Sequence, residues 1–381
     1  MKKFVYADYA ATAPLSPAVL DVMNRAYLTY SGNPSSVHKA GRDARIQLKK
    51  ARDQIAALLG AQPTEIYFTA SGTESDNWVI RSFAKTMREN GKNHIISSSF
   101  EHHAVLNPLK TLEKEGFDVT YLDVHENGII RPHELEAYIR PDTGLVSIVY
   151  ANNEIGTIQP ISEIGEICEK HSIPFHTDAV QAAAYIPIDV KKQHINMLSI
   201  SAHKFRGPRG VGLLYSDRPL HPLLEGGEQE RGRRAGTENL PGIMGLAAAF
   251  ALTWDSMETD NSRISALNNR LSEGLLAIEG SRLNGDRSAR LPGNTNISFD
   301  GVEGESLLLM LDMRGICASS GSACTSGSLS PSHVIKALGL PDDRAKGSMR
   351  FSLGSLTTSE EVDYIIETVT ELVEKLRRNS L

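Results

Sequence analysis

Ser199-Ile200-Ser201-Ala202-His203-Lys204-Phe205-Arg206-Gly207-Pro208-Arg209-Gly210-Val211-Gly212 is the stretch from which the fold is read. An apolar run over 195–200 enters it, and a second, over 211–215, leaves it. Between them, Gly and Pro shape a turn that presents two hydroxyls, an imidazole and an amine at a strand end. A lysine held there can form a Schiff base with an aldehyde, and the Ser and His beside it can grip a phosphate. The alternative is a solvated lysine in an ordinary strand-to-strand turn.

Upstream, the same design recurs. Pro174-Phe175-His176-Thr177-Asp178-Ala179-Val180-Gln181 places an Asp at the end of an apolar strand. Burying that Asp is costly without a cationic partner, and a pyridinium nitrogen is such a partner. The strand over 145–150 runs into Asn152-Asn153-Glu154-Ile155-Gly156, and His94-Ile95-Ile96-Ser97-Ser98 leads to Glu101-His102-His103-Ala104-Val105. A His pair at a helix start serves as a cap or faces solvent, yet this one stands where α/β sheets place their ligands. Thr69-Ala70-Ser71-Gly72-Thr73-Glu74-Ser75-Asp76-Asn77 is a strand, a small-residue turn and a helix start. It reads equally as an anion site or as a capping box made by Ser71 and Glu74. Strands fall near 66, 95, 120, 147, 175, 198 and 212, several separated by helical patterns. These spacings predict a mostly parallel seven-stranded α/β sheet with helices on both faces.

Outside this block, Ser16-Pro17 opens a helix after an extended arm, and 38–60 reads as an amphipathic helix stopped by Gly60. Gly226 to Thr237 is a Gly- and Arg-rich loop of the kind that is functional or disordered. Helical periodicity then runs from 240 to 280. A smaller α+β unit follows, with strands near 296–299 and 349–353, a helix over 304–314, a helix capped by Ser330, and a last helix over 359–378. Within it, Ser319-Ser320-Gly321-Ser322-Ala323-Cys324-Thr325-Ser326-Gly327-Ser328 is small and polar. A thiol in such a segment is either a travelling nucleophile or an incidental residue of a linker.

The chain has 381 residues, enough for more than one core, and its net charge of -6 offers no basic surface for nucleic acid. No apolar run approaches the roughly 20 residues that span a bilayer, and the start of the chain has no apolar segment of a secretory leader. Three cysteines, Cys168, Cys317 and Cys324, without paired spacing, argue against a disulfide framework and a structural zinc site, and for a reducing cytoplasm.

These motifs, in this order, resemble the cysteine desulfurases of NifS/IscS type, which are pyridoxal-phosphate enzymes of fold type I. The likeness runs from Asp8-Tyr9-Ala10-Ala11-Thr12 through Gly32-Asn33-Pro34-Ser35-Ser36 and the motifs above to Arg234-Ala235-Gly236-Thr237 and the Cys324 segment. It implies an arm over 1–15 that packs with the small domain, a large cofactor domain over 16–258, and a small domain over 259–381 that carries the cysteine. It implies catalytic roles for Lys204, His102 and Cys324. Lys204 would bind pyridoxal phosphate, Asp178 would pair with its ring nitrogen, His102 would stack on the ring, and Gln181 would bond its phenolic oxygen. Asn153 would join them. Gly72, Thr73, Ser201 and His203 would hold the phosphate, with Thr237 supplied by the other subunit of a homodimer.

For the substrate, L-cysteine, the resemblance implies a clamp of Arg350 with Asn153 and Asn33. Alanine would leave, and a persulfide on Cys324 would pass to an acceptor protein for iron–sulfur assembly or tRNA thiolation. No metal set is implied beyond transient ligation of an iron–sulfur cluster by Cys324. Cys168 and Cys317 are read as structural. Arg206 and Arg209 depart from the Tyr-Gly-Pro-Lys that often follows the lysine in this family. The competing reading on the same fold is a selenocysteine lyase or an aminotransferase, and a non-catalytic sulfur carrier is the reading from another class.

Overall fold

Apolar runs that do not alternate fold as strands covered on both faces. Six strands buried along their length and one half-exposed edge strand form the central sheet, in the order Ile66–Thr69, Gly212–Ser216, Met197–Ser201, Phe175–Asp178, Thr143–Ser147, His94–Ser98, Asp118–Leu122. The structure is a computed structural model that describes residues 4–320 and 331–379. From Met197–Ser201 to Asp118–Leu122 the strands are parallel. Gly212–Ser216 is antiparallel to both of its neighbours. The cause is the short connection after Ser201, because a parallel return needs a crossover of a dozen or more residues. A single 3-10 turn, Ala202–Lys204, precedes the reversal.

Helices cover the sheet. Lys39–Leu59 buries Ala44, Leu48, Ala51, Ile55 and Leu59 on one stripe and ends at the left-handed Gly60. The helix Pro17–Thr29 has Pro17 in its first turn as expected, but the Ser16 side chain makes no capping hydrogen bond. Leu240–Leu276 is one continuous helix. Its first half sends Leu246 and Phe250 into the core around the sheet. Its second half sends Ile264, Leu271 and Leu275 into a separate core.

That second core lies against a three-stranded antiparallel sheet, ordered Ser348–Ser352, Asn294–Phe299, Ser281–Leu283, with Gly304–Met313 and Ser359–Asn379 packed near it. The N-terminal arm is stitched to this unit. Val5–Tyr6 pairs in parallel with Ile316–Cys317, and Asp8 bridges to Ser352. Tyr9 lies so close over Gly354 that a Cβ there would stand 2.1 Å from a ring carbon, so only glycine fits.

The helix cap expected at Ser330 falls outside the described residues. The helix His333–Ala337 is capped by Ser332, whose hydroxyl accepts from the Val334 amide. Val334 and Ile335 pack into the core around the main sheet. The two ends of the Cys324 segment are therefore held by different cores.

Candidate functional site

The turns beyond the C-terminal ends of the parallel strands converge on a cavity of about 420 Å³. It gathers Lys204, Asp178, His102, Gln181, Asn153, Gly72, Thr73, Ser201, His203 and Arg350, all of them residues that the sequence singled out.

Lys204 reaches the cavity from the 3-10 turn. Its Nζ donates to the carbonyls of Ala10 at 2.6 Å and Ala11 at 2.9 Å. Ala10 and Ala11 of the arm thus form part of one wall. Gln181 Nε2 donates to the same Ala10 carbonyl, at 2.9 Å. His203 Nδ1 is 3.1 Å from Thr12 Oγ1. Burial, reinforced by the positive charges of Lys204 and Arg209, lowers the His203 imidazole to about 4, so it is neutral at pH 7.

At the next corner the helix Gly72–Glu89 begins. Of the capping box only the Ser71 half forms, since the Glu74 side chain turns to the Ala70 amide. Ser71 Oγ accepts from the Glu74 amide at 3.2 Å, a true cap, while Gly72 and Thr73 line the cavity. Amides in a first helical turn have no acceptor inside the helix, and the macrodipole adds positive potential there. Gly72 is required by packing, since a Cβ would meet Val180 Cγ2 at 2.5 Å. Glu74 is fixed in turn by Arg234, at 2.8 Å, and accepts from the Ala70 amide.

Opposite Lys204, Asp178 ends its strand almost fully buried, and the Val180 amide donates to its Oδ1 at 2.9 Å. Burial raises its carboxyl above the usual range, and the nearby His102 and Lys204 oppose that. His102 caps the helix His103–Lys114 by accepting the Ala104 amide on Nδ1 at 3.1 Å. That leaves Nε2 as its exchanging nitrogen. Burial lowers the His102 pKa, with Asp178 pulling upward and Lys204 and His103 downward. Its neutral form is therefore favoured at pH 7.

Arg350, in the strand Ser348–Ser352, is almost completely buried. Its guanidinium donates to Asp8 Oδ1 at 2.8 Å and to the Asn153 carbonyl at 2.9 Å. Its Nε is buried without a hydrogen-bond partner among the described residues. A carboxylate is the natural acceptor for such a donor.

The backbone of Arg350 also pairs with Ser319, at 2.7 and 3.1 Å. On the far side of the Cys324 segment, His333 lines the cavity, and its ring lies 4.7 Å from that of His103. Cys324 itself lies outside the described residues, between Ser319, paired with Arg350, and His333. Two other expectations lie apart from it. Asn33 is exposed and accepts from the Ser35 amide, and Thr237 is exposed. Neither lines the cavity within this chain. Cys168 is buried in the core, its thiol pushed up to about 12, as a structural thiol should be. Arg206 adopts φ 62° and donates to Ser355 Oγ at 3.2 Å. It therefore spans from the lysine turn to the chain just after the strand Ser348–Ser352.

Sequence reasoning missed the supporting carboxyls. Asp8 orients Arg350, Glu154 accepts from Ser332 at 2.5 Å, and Glu101 accepts from Ser98 and the Val149 amide. Burial raises Glu154 to about 7 and Glu101 to about 8. Their only signal was an acidic residue in the turn a few positions after a strand.

These residues fit pyridoxal phosphate. An amine stands on one wall, a buried carboxyl stands ready for a ring cation, and a glycine-fitted helix start with a neutral His makes an anion corner. Among the described residues no group of three or more His, Cys, Asp or Glu is placed to hold a metal ion.

Comparison with known proteins agrees with this geometry. The family described as Aminotransferase class-V matches residues 5–365. A cysteine desulfurase IscS of Methanosarcina thermophila is 52% identical over 99% of this chain and 94% of its own. Another from Dictyoglomus turgidum is 48% identical over 99% and 96%. Among solved structures, a NifS-like protein superposes with TM-score 0.92 at 37% identity, covering 98% of this chain and all of its own. A protein solved as SspA in complex with cysteine superposes with TM-score 0.81 at 39% identity, over 93% of this chain and all of its own.

Proposed function

The chain belongs to the aminotransferase class-V family and, within it, to the pyridoxal-phosphate-dependent cysteine desulfurases of NifS and IscS type, and from that premise we propose how its residues divide the reaction. Bound pyridoxal phosphate supplies a carbonyl for the substrate amine and a ring that draws electron density from the substrate's α-carbon. Lys204 holds that carbonyl and, once released, moves protons at the substrate. Asp178 matches the ring nitrogen's charge. His102, neutral and half-buried, would stack on the ring and exchange a proton through Nε2. Gln181 orients the phenolic oxygen. The Gly72 and Thr73 amides, Ser201 and His203 bind the phosphate. Arg350, aimed by Asp8, takes the carboxylate of L-cysteine, with Asn153 beside it.

In this reading Cys324 attacks the substrate sulfur. A sulfur–sulfur bond forms, the substrate carbon–sulfur bond breaks, and alanine leaves after protonation. The persulfide then passes to an acceptor protein in iron–sulfur assembly or tRNA thiolation. The observation that carries the reading is the convergence of Lys204, Asp178, His102 and Arg350 on one cavity, with the Cys324 segment anchored at Ser319 and His333 on either side of it.

A homodimer completes the site in this proposal. Thr237 is exposed and away from its own cavity, in the place expected of a residue donated to a partner. Leu20, Tyr27 and Leu28, exposed on the helix Pro17–Thr29, offer an apolar surface for that contact. We place the large domain at 16–258 and the small one at 259–381. The two separate cores support this, although one helix crosses between them. No helix of the described residues is long and apolar enough to cross a membrane. The scarcity of cysteine fits a cytoplasmic setting. The test of the assignment is Lys204→Ala, which should abolish the covalently attached chromophore; its retention would overturn the role of Lys204. Product analysis, alanine and sulfur against amino transfer to a keto acid, checks the activity itself.

A further inference from the structure

Beside Asp178 lies a buried polar cluster, meeting the cavity at Asp76, that the assignment above does not use. Asp76 projects from the helix Gly72–Glu89, one turn past the phosphate corner, and is 1% exposed. Ser199 hydrogen bonds its carboxyl. Its Oδ1 has no hydrogen-bond partner among the described residues and stands 3.6 Å from His176 Nε2. His176 is fully buried on the Asp178 strand, and its nitrogens meet Ser147 Oγ at 2.9 Å and Ser199 Oγ at 3.1 Å. Glu101, also fully buried, faces the cluster from the end of the strand His94–Ser98.

Two buried carboxyls within each other's field cannot both ionise cheaply, because each ion loses its hydration and they repel. Their surroundings are unequal. Asp178 has the Val180 amide on one oxygen and feels the positive charge of Lys204. Asp76 has only the Ser199 hydroxyl and is repelled by Asp178 and Glu101. His176 is held neutral by burial, down to about 3, so it is no counter-ion for Asp76.

We propose that Asp76 is a positioning residue for the cofactor that acts through Asp178: it holds the proton of this buried pair and leaves Asp178 as the one carboxylate facing the ring nitrogen. One helix then serves both ends of the cofactor, the phosphate through its first turn and the ring through Asp76. The inference rests on the placement of Asp178 against the ring nitrogen proposed above.

The test compares full-length Asp76→Ala and Asp76→Asn, loaded with cofactor. An amide has the shape and charge of a protonated acid. Asp76→Ala should raise the cofactor dissociation constant about tenfold, and Asp76→Asn should recover it to within about threefold. The pH midpoint of the bound cofactor's absorption band should stay in place in Asp76→Asn. An Asn variant as weak as the Ala variant would overturn the proposal. So would a midpoint displaced downward by about a pH unit, the mark of a lost anion.

Unfolding without cofactor gives an independent arm. A carboxyl that keeps its proton when folded makes wild type lose stability as pH rises past its unfolded value near 4. Asp76→Asn should therefore gain on wild type from pH 4 upward, approaching about tenfold in folding constant per pH unit. A gap that does not change with pH would contradict the proposal. If Asp178→Asn leaves cofactor retention unchanged, the placement of Asp178 is what fails.

Discussion

Replacing Arg350 by Ala removes the one guanidinium that the described residues present to the cavity. The side chain is 2% exposed and already bonded to Asp8 and to the Asn153 carbonyl, with Nε left as a spare donor. A hydrogen bond from a charged donor is worth about 1.5–3 kcal/mol, so losing the grip on a substrate carboxylate costs about 3 kcal/mol, roughly a hundredfold in KM for cysteine. Asp8 retains partial access to water, so the fold should tolerate its lost partner. Arg350→Lys keeps the charge beside Asp8 but loses the fork, and should fall between wild type and Ala. The assay is alanine formation against cysteine concentration in variants that retain the cofactor spectrum. A KM within about twofold of wild type in Arg350→Ala would refute the reasoning, since charged hydrogen bonds of this kind are not lost silently. A loss confined to kcat would refute it too.

Other outcomes follow from the same structure. Arg52→Ala should destabilise the protein by about 3–5 kcal/mol in urea unfolding, because it strands the buried Glu230 that now binds Arg52 through two bonds of 2.6 and 2.8 Å. Glu154, raised from 4.5 to about 7, supports the fold most below pH 4.5 and loses that support as pH rises through 7. Glu154→Gln should therefore match wild type near pH 4.5 and exceed it by up to about 3 kcal/mol at pH 8, measured by denaturant titration. Lys204→Ala should be colourless after dialysis, and a retained covalent band would count against it. Ile55→Ala, in the helix core, should cost about 2–5 kcal/mol in the same unfolding assay, independent of cofactor.

The sheet was legible because six of its seven strands are buried throughout and several lead into small-residue turns, the edge strand Asp118–Leu122 being the half-exposed exception. All seven positions from 66 to 212 are strands. The reversal at Gly212–Ser216 was not read from the sequence, although the few residues after Lys204 leave no room for a parallel return. The site residues next to strand ends, Asp178, His102 and Lys204, were legible for the same reason. Partners distant in sequence were not. Nothing near Arg350 in the chain announces Asp8, which reaches it only because the arm pairs with Ile316–Cys317. Asp76 reads as an ordinary acid early in a helix, and only the packed sheet shows that it is sealed against His176. Arg206 is explained by backbone and position, a left-handed residue reaching Ser355, and no local pattern encodes that. Asn33 and Thr237 came from the resemblance alone, and both stand away from the cavity of their own chain.

The central claim is that sulfur leaves cysteine by way of Cys324. Mass spectrometry of the peptide containing Cys324, after one turnover with sulfur-labelled cysteine and without reductant, tests it most directly. The account predicts one labelled sulfur on Cys324, and in Cys324→Ala an intact cofactor spectrum with no sulfur released. Release of sulfide by Cys324→Ala at the wild-type rate, or label on Cys317 or Cys168 in place of Cys324, would contradict it.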